Sequence, residues 1–305
     1  MDGTMKAGSG RQSDRGVQLL MRQLLEVALR EDLGFGDLSG SLLSGEATGD
    51  FLAKEDGVLA GSQAIPLVYE LLGGGVEISL SRMDGQPVRR GNSIATVEGP
   101  VETLLAGERV ILNLLQHLSG IATATFRAVQ ALEDSTTRIC DTRKTIPGLR
   151  ALQKYAVRCG GGFNHRYRLD DGVMIKDNHI VAAGGIANAV RKARERTGPM
   201  ARIEVECETA GQVEEAISAG ADVIMLDNKT PDEVKNLRKL IPDEILVELS
   251  GGITPAMAGD YRDCGADYIS IGSLTHSVQA LDISFNLSGG WKQEKQLLTK
   301  EHSER

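Results

Sequence analysis

Along the first third of the chain the apolar positions change their period several times. From Val17, VQLLMRQLLEVALRED sets leucines three and four apart on one side, the spacing of an amphipathic helix. A glycine-rich turn, LGFGDLSG, follows; no strand precedes it, so Gly34 and Gly36 do not open a dinucleotide-binding fingerprint. Between residues 51 and 99 the apolar runs are short and separated by turn residues, as in FLAKEDGVLAG, GVEISL and GNSIATVEG. One helical stretch, AIPLVYELLG, interrupts them. A small α+β domain is expected here. ETLLAGERVILNLLQHLSGIATATFRAVQAL then predicts two helices joined at or near Ser119-Gly120.

Beyond that point, short apolar strands alternate with amphipathic helices. Strands are expected at TRICD (137–141), GVMIK (172–176), ARIEVEC (201–207), DVIML (222–226), EILVEL (244–249) and DYISIG (267–272). Helices are expected at 148–159, 184–196, 209–219, 231–239 and 255–263. The later strands start at 201, 222, 244 and 267, a steady rhythm, and AGADVIML and CGADYISI repeat within it. In each repeat a Gly ends a helix and an Asp opens a strand. Apolar strands covered by helices form a parallel sheet, and six at this period suit a TIM-like, incomplete α/β barrel.

Composition leaves this picture of a globular α/β protein unchanged: 41% of residues are hydrophobic and 25% charged over 305 residues. No apolar run approaches the ~20 residues that span a bilayer, which argues against a membrane protein. Residues 1–16 lack the apolar core of a signal peptide and read as a disordered leader. Cys140, Cys159, Cys207 and Cys264 are too few and too scattered for a disulfide framework or a CxxC metal site, so they read as core residues of an intracellular, cytoplasmic protein.

Charge changes the picture more. The formal net charge is −8, yet residues 142–168 contain no acid and carry Arg143, Lys144, Arg150, Lys154, Arg158, His165, Arg166 and Arg168. A global negative balance argues against nucleic acid, and this stretch lacks the long basic stripe with interleaved aromatics that single strands require. A local basic basin points instead to a small, strongly anionic ligand. Arg150, Lys154 and Arg158, spaced four apart, read as a solvated helix face. Arg143 and Lys144 directly follow a buried strand and read as site residues.

The remaining polar residues gather at strand C-termini, where barrel active sites sit. They are Asp141-Thr142-Arg143-Lys144, Lys176-Asp177-Asn178-His179, Glu204 with Glu206, Asp227-Asn228, Ser250-Gly251-Gly252 and Gly272-Ser273. Strand alternation puts Glu204 and Glu206 on one side and Val205 on the other. Inward acids need partners, and either a site role or an ion pair with Lys144 or Lys176 would supply them. Asp227 reads as a pocket acid or as a helix cap near Thr230. LSGGIT and ISIGSLTHS place glycine turns after the last two strands, where barrels commonly hold phosphate. A phosphate cradle, two acids able to face a divalent cation or a developing positive charge, and surplus Arg and Lys suit a phosphorylated sugar with a carboxylated partner. No Walker A, HExxH or Ser-His-Asp pattern supports a hydrolase or an ATPase.

ERVILNLLQHLSGIAT, DTRKTIPGLRALQKYAVRCGGGFNHRYRLDDGVMIKDNHI, IEVEC, IMLDN and SGGIT together resemble the nicotinate-nucleotide pyrophosphorylase (carboxylating), or quinolinate phosphoribosyltransferase, family over about residues 17 to 285. The resemblance implies quinolinate and phosphoribosyl pyrophosphate as substrates, Mg2+ as cofactor, and nicotinate mononucleotide, pyrophosphate and CO2 as products in de novo NAD biosynthesis. It implies an N-terminal α/β sandwich (17–115), a barrel domain (116–275) and a C-terminal segment (276–305) packing back on the sandwich. It also implies a homodimer, open to higher assembly, whose site is completed by the neighbouring subunit through Arg109. Carried over by position, Arg143, His165, Arg166 and Lys176 resemble the basic pocket for quinolinate's two carboxylates. Arg109 and Lys144 resemble residues near the reacting groups. Glu206 and Asp227 resemble acids facing the ribose and, through water or pyrophosphate, the metal. Ser250, Gly251, Gly252 and Gly272 resemble the 5′-phosphate site, with His276 nearby. ELSGGI in place of EASGGI, and GDLSG in place of GDITT or GDVTS, are departures that remove no charged site residue. A related transferase using another base, and a non-catalytic anion-binding barrel, are the alternatives; acids at 206 and 227 argue against the latter.

Overall fold

A computed structural model describes residues 15–133 and 136–288, so residues 1–14 of the expected leader and 289–305 of the C-terminal segment lie outside the described residues. The described residues divide into two compact units, one within 15–117 with 281–288 and the other within 118–280.

In the first unit, α1 (Arg15–Leu33) buries Val17, Met21, Leu25 and Leu29, one stripe at four-residue spacing. Its Arg22 donates to Glu70 of α2 (Ala64–Leu71) at 2.8 Å. Strands β1 (Glu46–Ala53), β3 (Glu77–Leu80), β5 (Ser93–Pro100) and β12 (Ile283–Ser288) form an antiparallel sheet in the order β12-β1-β5-β3. The short β2 (Gly57–Val58) and β4 (Pro87–Val88) pair separately. Phe51 and Phe285 meet across β1 and β12 with ring centroids 4.7 Å apart. A Cβ at Gly49 would lie 2.2 Å from the Phe285 ring, so glycine is what admits that ring. This unit is the N-terminal α/β sandwich.

The expected break near Ser119-Gly120 does not occur: α3 runs unbroken over Val101–Ala131. Gly120 serves close packing instead. A Cβ there would stand 2.2 Å from the Gln279 carbonyl oxygen. Glycine costs a helix only about 1 kcal/mol relative to alanine, which the surrounding packing offsets.

The second unit holds the six expected strands: β6 (Arg138–Cys140), β7 (Val173–Ile175), β8 (Ile203–Cys207), β9 (Val223–Asp227), β10 (Leu246–Ser250) and β11 (Tyr268–Ser270). All pair in parallel, in the order β6-β11-β10-β9-β8-β7. From β7 to β11 each strand lies beside its sequence neighbour, so the order never reverses as it does in a doubly wound sheet. β6 and β7 stand at opposite ends of the paired order. That makes an incomplete TIM-like barrel. Phe163 lies alongside β6, its amide donating to the Ile139 carbonyl and its own carbonyl accepting from Asp141.

Helices α4 (Arg150–Cys159), α6 (Ile186–Arg196), α7 (Ala210–Ser218) and α8 (Pro231–Arg238) cover the strands. The expected helix at 255–263 is a 3-10 turn, Pro255–Tyr261. Two short helices were not expected: α5 (Asp177–Ala183), ended by Gly184 in the left-handed region, and α9 (Ser273–His276). The repeated GAD segments do one job twice. The Asp222 carboxylate accepts the Ile203 amide at 2.6 Å, and the Asp267 carboxylate accepts the Val247 amide at 2.8 Å. Each aspartate thus ties the start of its strand to the strand before it.

Candidate active site

A cavity of about 760 Å³ opens at the C-terminal ends of the barrel strands. All the expected site residues except Arg109 line it: Arg143 and Lys144 after β6; His165 and Arg166 on the loop beyond α4; Lys176 after β7; Glu206 and Asp227 ending β8 and β9; Ser250, Gly251 and Gly252 after β10; and Gly272 and His276 after β11. Strand direction explains the convergence, because parallel strands deliver all their C-termini to one rim.

The cationic side is built on a buried frame. Asp141 and Lys154 are both fully buried and form an ion pair. This corrects the reading of Lys154 as part of a solvated face: α4 turns that residue inward, where Asp141 waits at the end of β6. Lys154 Nζ also donates to the His165 carbonyl at 2.9 Å, while the Asp141 carboxylate accepts from the His165 amide at 3.0 Å and from the Asn164 side chain. Burial raises the Asp141 pKa and lowers that of Lys154, each opposed by the partner's charge. The pair clamps the 163–166 loop. Arg166 is further held by donation to the Gly172 carbonyl at 2.7 Å. Burial, then the neighbouring Arg143, lowers the Arg166 pKa. Arg143 Nε is buried and has no hydrogen-bond partner among the described residues. Crowded guanidiniums with an unpartnered donor call for an anion.

The acids divide by depth. Glu206 sits at the mouth and pairs with Lys176 at 2.7 Å, so the ion-pair reading and the site reading both apply to it. Asp227 accepts from the Asn228 side chain, and α8 is capped by Thr230 itself, so Asp227 is a pocket acid rather than a cap. Burial, then Glu206, raises the Asp227 pKa. Glu204 lies two residues deeper and pairs with neither expected lysine. Its partner is His165, whose Nε2 stands 3.2 Å from both Glu204 and Glu248. Burial, then Glu248, pushes the Glu204 carboxyl up to about 7. Burial opposes charge on His165, but the two carboxylates outweigh it and raise the value to about 10.

Sequence reasoning missed Glu248 and Ser270 as lining residues. The Ser270 hydroxyl donates to Glu248 at 2.6 Å, and both are buried. The signal was present: Glu248 stands one strand period before Ser250, so both share the inward side of β10.

At the opposite end, Gly251 (φ +88°) and Gly252 (φ +64°) form the turn after β10. A Cβ on Gly251 would sit 2.3 Å from the Asn228 side-chain oxygen and 2.7 Å from its amide nitrogen. Asn228 is itself left-handed, at φ +52°. A Cβ on Gly272 would approach the Lys144 stem at 3.1 Å and the His276 ring at 3.2 Å. Ser273 Oγ is buried without a partner among the described residues. Arg109, on α3, is not among the residues lining this cavity; its side chain is 60% exposed and 3.9 Å from Glu108.

Comparison with known proteins agrees with this geometry. Residues 37–119 match the N-terminal domain of quinolinate phosphoribosyl transferase, and residues 121–286 match its C-terminal domain. The chain is 50% identical over 272 residues to a probable nicotinate-nucleotide pyrophosphorylase [carboxylating] of Bacillus subtilis, covering 88% of this chain and 94% of that one. It is 40% identical to the Mycobacterium leprae nicotinate-nucleotide pyrophosphorylase [carboxylating], covering 87% and 96%. The solved nicotinate-nucleotide pyrophosphorylase of Francisella tularensis superposes with a TM-score of 0.86 at 36% identity, covering 89% of this chain and 97% of that one. The chain belongs to the quinolinate phosphoribosyltransferase family, the carboxylating nicotinate-nucleotide pyrophosphorylases.

Proposed function

We propose that this protein transfers the phosphoribosyl group of phosphoribosyl pyrophosphate to the ring nitrogen of quinolinate, with loss of the adjacent carboxylate. The products are nicotinate mononucleotide, pyrophosphate and CO2, a step in NAD biosynthesis. The carrying observation is Arg143 Nε, buried and without a partner among the described residues, in a cavity lined also by Lys144, Arg166 and Lys176. A dicarboxylate supplies two anionic groups for such a basin, which a monoacid does not.

Arg143, Arg166 and Lys176 bind the carboxylates, with His165 beneath them and Lys144 beside the reacting groups. The 5′-phosphate lies against Ser250, Gly251, Gly252 and Gly272, with His276 nearby. As the bond from the anomeric carbon to pyrophosphate breaks, positive charge develops on the sugar, and the Glu206 and Asp227 carboxylates stabilise it. The pyridine nitrogen then bonds to that carbon. Once the ring is cationic, the bond to the 2-carboxylate breaks heterolytically. Its electron pair stays on the ring carbon beside the charged nitrogen, and that carbon afterwards takes a proton.

Glu206 and Asp227 also fit a divalent cation, through water or pyrophosphate. Both are oxygen donors lining the cavity, and a cation there would relieve the repulsion by which Glu206 adds to burial in raising the Asp227 pKa. Mg2+ held there would offset charge on the departing pyrophosphate.

Alanine at Gly251 meets both a positive φ and the Asn228 backbone, so the turn must shift. Gly251→Ala is expected to raise the KM for phosphoribosyl pyrophosphate about tenfold or more while the KM for quinolinate changes little, measured by steady-state kinetics.

The protein acts in the cytoplasm as a homodimer in which Arg109, exposed on its own chain, completes the partner's site. Subunit mixing tests the function and the dimer together, with CO2 release from quinolinate as the readout. Arg109→Ala and Lys144→Ala are each expected to be nearly inactive. Mixed and allowed to exchange, they should regain activity at up to roughly a quarter of the sites, because half the dimers are hybrids and each hybrid has one intact site. No recovery on proven exchange would refute the shared site, and no CO2 from the unmodified protein would refute the function.

A further inference from the structure

His165 is held from every side. Its amide and carbonyl are engaged by Asp141 and Lys154. Its Nδ1 accepts the Arg166 amide proton at 2.8 Å, and its Nε2 faces Glu204 and Glu248 at 3.2 Å each. The Nδ1 contact decides the state of the ring. A neutral imidazole has one donor and one acceptor nitrogen. With Nδ1 accepting, the single proton sits on Nε2, shared between the two carboxylates.

Two other states meet the same obstacle. Burial opposes charge on the ring, but the two carboxylates favour it, which is why its pKa is raised. Yet an imidazolium would carry a proton on Nδ1 and point it at the Arg166 N–H, whose nitrogen is 2.8 Å away. That contact decides for the neutral ring, and the further proton of the cluster rests on Glu204, whose carboxyl burial and Glu248 push up to about 7. His165, Glu204 and Glu248 have ligand atoms within 4.8 Å of one another, as in a metal site. A metal on Nε2 would again place the proton of a neutral ring on Nδ1, against the same N–H. Both ring nitrogens are therefore used within the protein, and neither remains for a ligand.

We infer that His165 is a positioning residue rather than a carboxylate ligand: Glu204 and Glu248 hold its ring through Nε2–H, so that Nδ1 fixes the Arg166 backbone and aims the Arg166 guanidinium at the bound dianion. The Ser270 hydroxyl, donating to the other oxygen of Glu248, keeps that carboxylate turned toward the ring. Arg166 is thus fixed at two places, by His165 at its amide and by Gly172 at its guanidinium. Glu204 and Glu248 are positioning residues at one further remove. The inference rests on the dicarboxylate reading for its ligand, but the state of the ring does not depend on it.

The test pairs spectroscopy with kinetics. In 15N-histidine-labelled enzyme, with His165 assigned through His165→Asn, Nδ1 is expected to be unprotonated and Nε2 protonated near neutral pH. Adding quinolinate should leave both signals essentially in place. Glu248→Leu removes the acceptor and is expected to raise the KM for quinolinate about tenfold, with kcat and the KM for phosphoribosyl pyrophosphate within about twofold. Glu248→Gln keeps an oxygen for Nε2–H and should restore the quinolinate KM. A ring protonated on Nδ1, or ring signals that move on quinolinate binding as a direct hydrogen bond would move them, overturns the inference. Equal loss toward both substrates in Glu248→Leu also overturns it. If that variant does not fold, the spectra of the unmodified enzyme decide. Failure of the unmodified enzyme to turn over quinolinate would instead sink the functional reading and leave the ring state standing.

Discussion

Replacing Lys154 by methionine is expected to destabilise the protein by about 3–5 kcal/mol, because it leaves the Asp141 carboxylate buried without its cation. The methionine keeps most of the apolar stem, so the loss is not one of volume. It is one of charge compensation, compounded by release of the His165 carbonyl that Lys154 also binds. For a unit of this size the loss corresponds to a fall in Tm of roughly 6–20 °C. Thermal unfolding followed by circular dichroism measures it. Adding Asp141→Asn to Lys154→Met should recover part of the loss, since the orphaned charge is then gone. An unchanged Tm for Lys154→Met would show that the pair does not hold the 163–166 loop.

The second large effect falls on activity. Arg143→Ala removes a guanidinium that follows β6 into the cavity and whose Nε has no hydrogen-bond partner among the described residues. Little in the fold leans on that side chain, so stability should change little. Its removal leaves a carboxylate of the substrate without one of its cations in the cavity. The expected cost is about 2–5 kcal/mol in kcat/KM for quinolinate, or roughly 30- to 4,000-fold. The KM for phosphoribosyl pyrophosphate should move far less, because the phosphate turns lie on other strands. Steady-state kinetics with each substrate varied in turn would separate the two. Equal losses toward both would mean that Arg143 does not discriminate the dicarboxylate end.

What could be read from the sequence follows the range of the interactions. The barrel strands declared themselves because apolar runs and their spacing are local properties, and their C-terminal polar residues then fall on one rim by direction alone. Glu206, Asp227 and the glycine turns were legible for that reason. Lys154 was not. A basic residue four positions from Arg150 and Arg158 has the spacing of a solvated stripe, and only the non-local approach of β6 to α4 supplies its buried partner. Gly120 misled in a similar way. Glycine punctuates a helix in isolation, but here it admits the backbone near Gln279. Glu204 was placed on the correct side of β8, yet its partner came from a loop rather than from either expected lysine. His165 shows the limit most clearly: its position in the basic stretch was legible, but the two acids around its ring arrive from β8 and β10.

The central claim is that the basic basin selects a dicarboxylate acceptor. The most direct test gives the unmodified enzyme phosphoribosyl pyrophosphate, Mg2+ and equal amounts of quinolinate and nicotinate, and follows mononucleotide and CO2 together. The account predicts consumption of quinolinate, one CO2 for each mononucleotide formed, and nicotinate left untouched. Mononucleotide appearing from nicotinate, without matching CO2, would contradict it.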